Sequence, residues 1–472
     1  MKRVICILIA LSLLLGCGQR NLTPRQETQA HTTAPTIAAT PTATYTAEPT
    51  TPTPTATPRP ALATYAPVDG QTVCFPEELL SQDGEPVVSL IHGLLADQTL
   101  TKADFFARFQ AIIDRVDALH KGLLALSDEG RTLTADRQEK TIDALKRFME
   151  QDMLDALQAA YEACPGEGAD LPLTAYADAL AALLQDILGM EERTVAFFEL
   201  GPEAARDYLA ALGRYMGESV APRDLFNDLE DLTQTEAYAI GTALKADPEA
   251  ARKKEPISFG SYAQNMDFLC HVTEELCPLP DGSSLPQPVV REGAEDMDLM
   301  TLAFHYYPGM AFLNAYAAHS AETQQARWAN APDGYLAGLA VHNSYVVVPY
   351  LSDFGLDYVQ YRWYEDMLTV TLTGLSALLI HYYGYSPTDL AAYLKTWGAE
   401  DFTDYLYGKA MSDPFEGLVA SYGYYRYLDI CQAALDAGCP SEEQFLRDYL
   451  AAGPAPFEAL KEYMVSFYRN RG

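Results

Sequence analysis

Asp298-Leu-Met-Thr-Leu-Ala-Phe-His-Tyr-Tyr-Pro-Gly-Met-Ala-Phe-Leu-Asn-Ala-Tyr316 decides how this chain folds. It reads as two apolar helical pieces interrupted at Pro308-Gly309. Proline removes a backbone donor and clashes with the turn before it, and glycine permits the angles that restart the chain. A break of this kind between apolar runs is costly and often marks a place where side chains converge. Around it stand His305, Tyr306, Tyr307 and Met310, with no carboxylate.

The same 3-to-4 spacing of apolar residues extends outward in both directions. Thr101-Lys-Ala-Asp104 reads as a capping box, followed by Phe105, Phe109, Ile112, Ile113, Val116, Leu119 and Leu123 on one face. Thr134 opens a further helix with Ile142, Leu145, Phe148, Met149 and Leu157 inward. More helices are expected over 174–190, 203–217, 233–247 and 258–276. Period-2 alternation is almost lacking, so the expected fold is mainly α, with few or no strands; Tyr345-Val-Val-Val348 is the best strand candidate. A proline-rich loop over 278–290 separates an N-terminal helical half (70–290) from a C-terminal half (291–472), the two forming one continuous body. Tyrosines crowd the second half, from Tyr382 to Tyr427. They fill helix interfaces with their hydroxyls bonded, or else they line a cleft.

The first 69 residues have a different character. Lys2-Arg3, the apolar run Val4–Leu15 and Gly16-Cys17 have the layout of a signal peptide, with an apolar core too short to span a bilayer. Leu14-Leu15-Gly16-Cys17 resembles the bacterial lipobox, which implies cleavage before Cys17 and acylation of its thiol. That places the chain on the extracytoplasmic face of a cell membrane, held by lipid alone. Residues 18–69 are Thr-, Pro- and Ala-rich without an apolar period, an expected disordered tether of polyproline character. A net charge of −33 argues against nucleic acid as a partner. The cysteines beyond Cys6 and Cys17 are Cys74, Cys164, Cys270, Cys277, Cys431 and Cys439. In an oxidising exterior they are candidate disulfides, with Cys270–Cys277 and Cys431–Cys439 the simplest local bridges and Cys74–Cys164 the remainder.

No G-x-S-x-G, phosphate loop or H-E-x-x-H occurs. Lone histidines on helices, such as His271, His305, His319, His342 and His381, are more often structural than ligating. The segment from Leu299 to the C-terminus nevertheless resembles the bacterial family known as domain of unknown function 885. Leu302-Ala-Phe-His-Tyr-Tyr-Pro-Gly-Met310 aligns with that family's L-A-H-E-x-Y-P-G-H, and Gly334-Tyr-Leu-Ala-Gly-Leu-Ala340 with its G-Y-x-E-G-W-A. Ile380-His-Tyr-Tyr-Gly-Tyr-Ser386, Gly423-Tyr424 and Gly453-Pro-Ala-Pro-Phe457 extend the match. Phe445-Leu446 stands where many members have F-H, and weaker similarity covers Leu133–Gln138 and 166–172. The resemblance implies a mostly helical zinc-peptidase scaffold. Its two histidines and later glutamate would hold the metal, and the glutamate beside the first histidine would activate water.

Here those positions carry Phe304, Met310, Ala337 and His305. Phenyl and methyl groups offer zinc no lone pair, and a thioether is a soft donor that zinc rarely takes. The family's strand-like substrate wall is also replaced by the loop 278–295. The expectation is a noncatalytic relative with no cofactor, no metal ligands and no catalytic residues. It would bind a peptide or glycan of the cell envelope in a vestigial cleft formed by Phe304, His305, Tyr306, Tyr307, Met310, Ala337, His342 and His381. Two alternatives remain: a metal-independent hydrolase using His305, His342 and nearby tyrosines, and a structural surface lipoprotein whose cleft has filled in.

Overall fold

The computed structural model describes residues 73–83, 87–96, 100–253, 256–286, 297–352, 354, 356 and 358–470. The expected signal peptide, Cys17 and the tether lie outside them. Among the described residues the fold is mainly α, without strands; an isolated bridge joins Thr134 and Arg193.

The first lobe contains α1 (Pro76–Asp83), α2 (Val88–Ala96), α3 (Lys102–Asp128), α4 (Ala135–Phe148), α5 (Gln151–Ala163) and α6 (Leu173–Gly189). Thr101 accepts a hydrogen bond from the Asp104 amide and opens α3, and every residue expected on its inner face is buried. Thr134 caps α4 in the same way through the Arg137 amide. Leu145, Phe148 and Leu157 are buried there, while Ile142 and Met149 are half-buried at the edge of the core. The lobe has its own apolar core, running from Leu80 to Ile187.

The second body follows, with α7 (Pro202–Met216), α8 (Pro222–Ala246), α9 (Tyr262–Leu276), α10 (Leu299–His305), α11 (Met310–Ala318), α12 (Glu322–Trp328) and α13 (Asp333–Tyr345). After these come α14 (Val348–Ser352), α15 (Tyr358–His381), α16 (Pro387–Leu394), α17 (Thr403–Ser412), α18 (Glu416–Asp436), α19 (Glu442–Ala452) and α20 (Phe457–Arg469). Their core is continuous from Ala196 to Tyr468 and takes in Phe75. The packing therefore divides near residue 190, and a single core takes in described residues on both sides of the proline-rich loop. Helix α8 starts eleven residues before the expected 233, because Pro222 occupies its first turn, where a missing amide costs nothing.

The strand candidate is corrected: Tyr345 closes α13, and Val348 opens α14. Four β-branched or aromatic residues at a helix–helix junction mimic a strand without a partner to pair with.

The expected disulfides are also not formed, all six cysteines being free thiols. Cys270 and Cys277 are seven residues apart on α9 and its C-cap. That is about 10 Å of rise, beyond the roughly 4.4–6.8 Å that a bridge spans. Cys74 packs against the second body and Cys164 against the first lobe. Cys431 and Cys439 are both buried, and the Cys439 thiol donates to the Ser441 carbonyl at 3.2 Å.

The two lobes meet through aromatic rings and ion pairs. Phe75 stacks on Phe197 at 3.9 Å. Glu77 pairs with Arg193, Glu78 with Arg214, Arg131 with Asp207 at 2.9 Å, and Arg137 with Asp413 at 3.6 Å.

A candidate ligand cleft

The break at Pro308-Gly309 forms as the sequence predicts, with α10 ending at His305 and α11 starting at Met310. The Tyr307–Pro308 peptide is cis. Side-chain and backbone bonds then fix the bend. The Gly309 amide donates to the Ala303 carbonyl at 2.9 Å, and Asn343 of α13 donates to the Pro308 carbonyl at 2.9 Å. A Cβ on Gly309 would lie 1.8 Å from the Phe304 carbonyl oxygen, so only glycine fits. The Tyr307 hydroxyl donates to the Pro286 carbonyl, and Tyr306 meets Tyr262 edge-on. Both tyrosines are buried, and burial raises the Tyr307 phenol above its usual range.

Beside this bend lies an open cleft of about 820 Å³. Phe304, Met310 and Ala337 all line it. They come together because α10, α11 and α13 turn about one crossing. Gly338 of α13 presses against Gly423 of α18: a Cβ on Gly338 would stand 2.2 Å from the Gly423 carbonyl carbon. The two glycine-tyrosine motifs of the sequence are thus the two sides of one helix contact. Their job is approach, not chemistry.

The remaining expected cleft residues are elsewhere. His305 is half-buried against the Phe304 ring and is not part of the lining. His342 lies on the far face of α13, as its offset of five residues from Ala337 requires. It packs on Tyr427 at 4.1 Å, and burial lowers its imidazole to about 3. His381 is fully buried, where it accepts from the Phe197 amide at 3.3 Å and bonds the Ala410 carbonyl at 2.9 Å. Burial first, then the Arg193 charge, lower it to about 3. Both rings are therefore neutral structural groups at any ordinary pH. Tyr306 and Tyr307 hold the bend from its core side. Of the crowded tyrosines, Tyr422, Tyr424 and Tyr427 are core and Tyr405 lines the cleft.

Several lining residues escape a reading by motif. Asp333 sits at the mouth, reached by water yet hemmed by walls that strip much of its solvation, so burial alone raises its carboxyl to about 6. Glu416 is raised to about 7, chiefly by the neighbouring Asp413 charge, against the opposing pull of Lys409 and Arg137. Asp413 also accepts from the Glu416 amide at 3.0 Å and so satisfies the first free amide of α18. Trp363 and Met367 give α15's side an apolar wall, with the Trp363 indole donating to Ser344 at 3.1 Å. Asp333 was findable, since it directly precedes the glycine of the second motif. The α15 wall was not, because that helix is apolar nearly all round.

The donor set does not fit zinc. Phe304, Met310 and Ala337 bring phenyl, thioether and methyl groups to the cleft, and among the described residues no group of three His, Cys, Asp or Glu side chains is arranged to hold a metal. Nor does any described helix have the length and apolarity to cross a membrane.

No family model matches the chain, and no curated protein matches it. In fold it is similar to the crystal structure of a protein from Colwellia psychrerythraea described as a lipoprotein, with a TM-score of 0.58 and 14% identity over 82% of this chain and 80% of that one. A protein of unknown function from Shewanella oneidensis, also described as a lipoprotein, aligns over 82% of this chain and 86% of its own with a TM-score of 0.42 and 12% identity. The likeness to the Colwellia protein extends the all-helical architecture to a second chain.

Proposed function

We propose that this is a lipid-anchored extracytoplasmic protein, a noncatalytic relative of the domain of unknown function 885 proteins, that binds a peptide or cell-envelope ligand in the cleft beside the Pro308 bend. One observation carries the reading. The three positions aligned with metal ligands open onto a cavity of about 820 Å³, and each has exchanged a metal donor for an apolar or soft group. A scaffold that had lost all use for the cleft would be expected to fill it, because voids forfeit packing. That counts against a purely structural role. A replacement hydrolase built on His305 and His342 is disfavoured because neither imidazole lines the cleft. The Colwellia protein's description as a lipoprotein agrees with the lipobox-like Cys17, and the lack of a spanning helix among the described residues agrees with an anchor made of lipid.

Metal analysis of the purified full chain tests the noncatalytic half of the proposal. The expected result is zinc well below one equivalent and no peptide cleavage. One equivalent of zinc that disappears on His305→Ala would overturn it.

A further inference from the structure

The cleft's walls differ in chemistry, and the difference selects a ligand. Its floor is apolar, formed by Met300, Phe304, Met310, Leu336, Trp363 and Met367. Its charged lining is mainly acidic. Arg137 is engaged by Asp413, and Glu77 by Arg193. With those pairs set aside, Asp333 and Glu416 line the cleft, and Lys409 stands near Glu416.

Asp333 is the most telling of these. Among the described residues no cation or hydrogen-bond donor meets it, and its shift has burial as the sole cause. Open to solvent at the mouth and set above an apolar floor, this carboxylate is placed to receive an arriving cation with a charge-assisted hydrogen bond. Glu77 also lines the cleft, but its charge is met there by Arg193.

We infer that the cleft takes a protonated amine on an apolar stem, with Asp333 as the carboxylate that receives the amine and the Phe304–Met310–Trp363 floor receiving the stem. This deepens the binding role proposed above and rests on it. The positions that a metal-binding relative would use for ligands here become the apolar bed for the stem. A lysine-bearing peptide and a free aliphatic diamine present the same chemistry, and the glycan alternative does not unless it carries an amine. Long-range attraction works in the same direction, since a chain of net charge −33 draws cations toward its clefts and repels acidic ligands.

The test uses the full chain with three probes: the tripeptide lysyl-leucyl-lysine, the tripeptide glutamyl-leucyl-glutamate, and 1,5-diaminopentane. Binding is followed by calorimetry and by the fluorescence of Trp363, which lies in the cleft wall. The lysine tripeptide should bind at least about tenfold more tightly than the glutamate tripeptide, with an affinity that falls as salt is raised. Asp333→Asn should weaken it about tenfold, in line with a charged hydrogen bond. Ala337→Trp and Thr369→Trp, plugs on different walls, should each abolish it, so that misfolding of one does not spoil the test. The diamine arm identifies the source: affinity equal to the tripeptide's assigns a free amine, and much weaker affinity assigns a peptide.

If both tripeptides bind equally and both plugs block them, the charge selection is wrong and the binding role stands. Should no probe bind in a way the plugs affect, the binding role and this inference fall together.

Discussion

The two faces of helix α13 respond to opposite demands. One face carries Gly334 and Gly338, set so close to Gly423 that no side chain fits between the backbones. The other carries Asp333, Leu336, Ala337 and Val341, which border open space. Residues 337 and 338 are neighbours in sequence, yet the first borders an open cleft and the second belongs to a backbone-to-backbone contact. The closed face sets where the helices sit, and the open face sets what enters between them. A change on the first is a change of fold; a change on the second is a change of ligand. The glycines of the seam and the residues of the cleft wall therefore answer to separate constraints.

The sharpest way to break the comparison is Gly423→Val. A Cβ there would lie 2.0 Å from the Gly334 carbonyl oxygen, a backbone atom that cannot swing aside. Separating α13 from α18 would open the middle of the core, and a loss of about 3–5 kcal/mol is expected from overpacking at a site that cannot relax. Thermal unfolding followed by circular dichroism should show either a melting temperature lowered by many degrees or no cooperative transition. A near-normal melt would mean that the seam is looser than its geometry.

An effect of intermediate size belongs to the histidines on the buried side. His342 and His381 are held at about 3 in the folded chain, below the ordinary histidine value. Between about 6.5 and 3 the unfolded chain therefore binds more protons than the folded one, and stability falls as pH falls through that window. The slope for each fully shifted imidazole is roughly 1.4 kcal/mol per pH unit. Melts at pH 7, 5.5 and 4.5 should drop progressively, and His342→Phe, which keeps a ring against Tyr427, should flatten part of the drop. A melting temperature independent of pH over this range would contradict the neutral, structural role of both rings.

Legibility followed the same division. The closed features were written in local pattern: the capping residues Thr101 and Thr134, the apolar face of α3, and the Pro308-Gly309 break. Each depends on residues within a few positions of one another. The open features were not, because they depend on which distant helices face one space. Phe304, Met310 and Ala337 were reached through resemblance alone, whereas His342 and His381 were attractive as residue types but are turned into the core. Trp363 and Glu416 gave no local sign, since their neighbours in the cleft lie on other helices. The cysteines misled for a related reason. Closeness in sequence suggested a bridge between Cys270 and Cys277, but a helix converts that closeness into axial distance.

The smallest expected effect is the one that isolates the open face. Ala337→Leu adds three carbon atoms one residue before Gly338, at a half-buried position whose side chain points into a cavity of about 820 Å³. With room to receive it and apolar neighbours in Phe304 and Met310, the added side chain should change stability by no more than about 0.5 kcal/mol, as for a surface substitution. It should even be slightly stabilising if the leucine covers part of the floor. Gly338→Leu, one position on, would drive the same side chain into the Gly423 backbone and should cost several kcal/mol. Melting the two variants in parallel places a leucine on each of the two faces of one helix. Equal losses would mean that the cleft is closed in solution. A small change in the first beside a collapse in the second is the result that two distinct faces require, and Ala337→Leu should then still weaken any ligand that uses the floor.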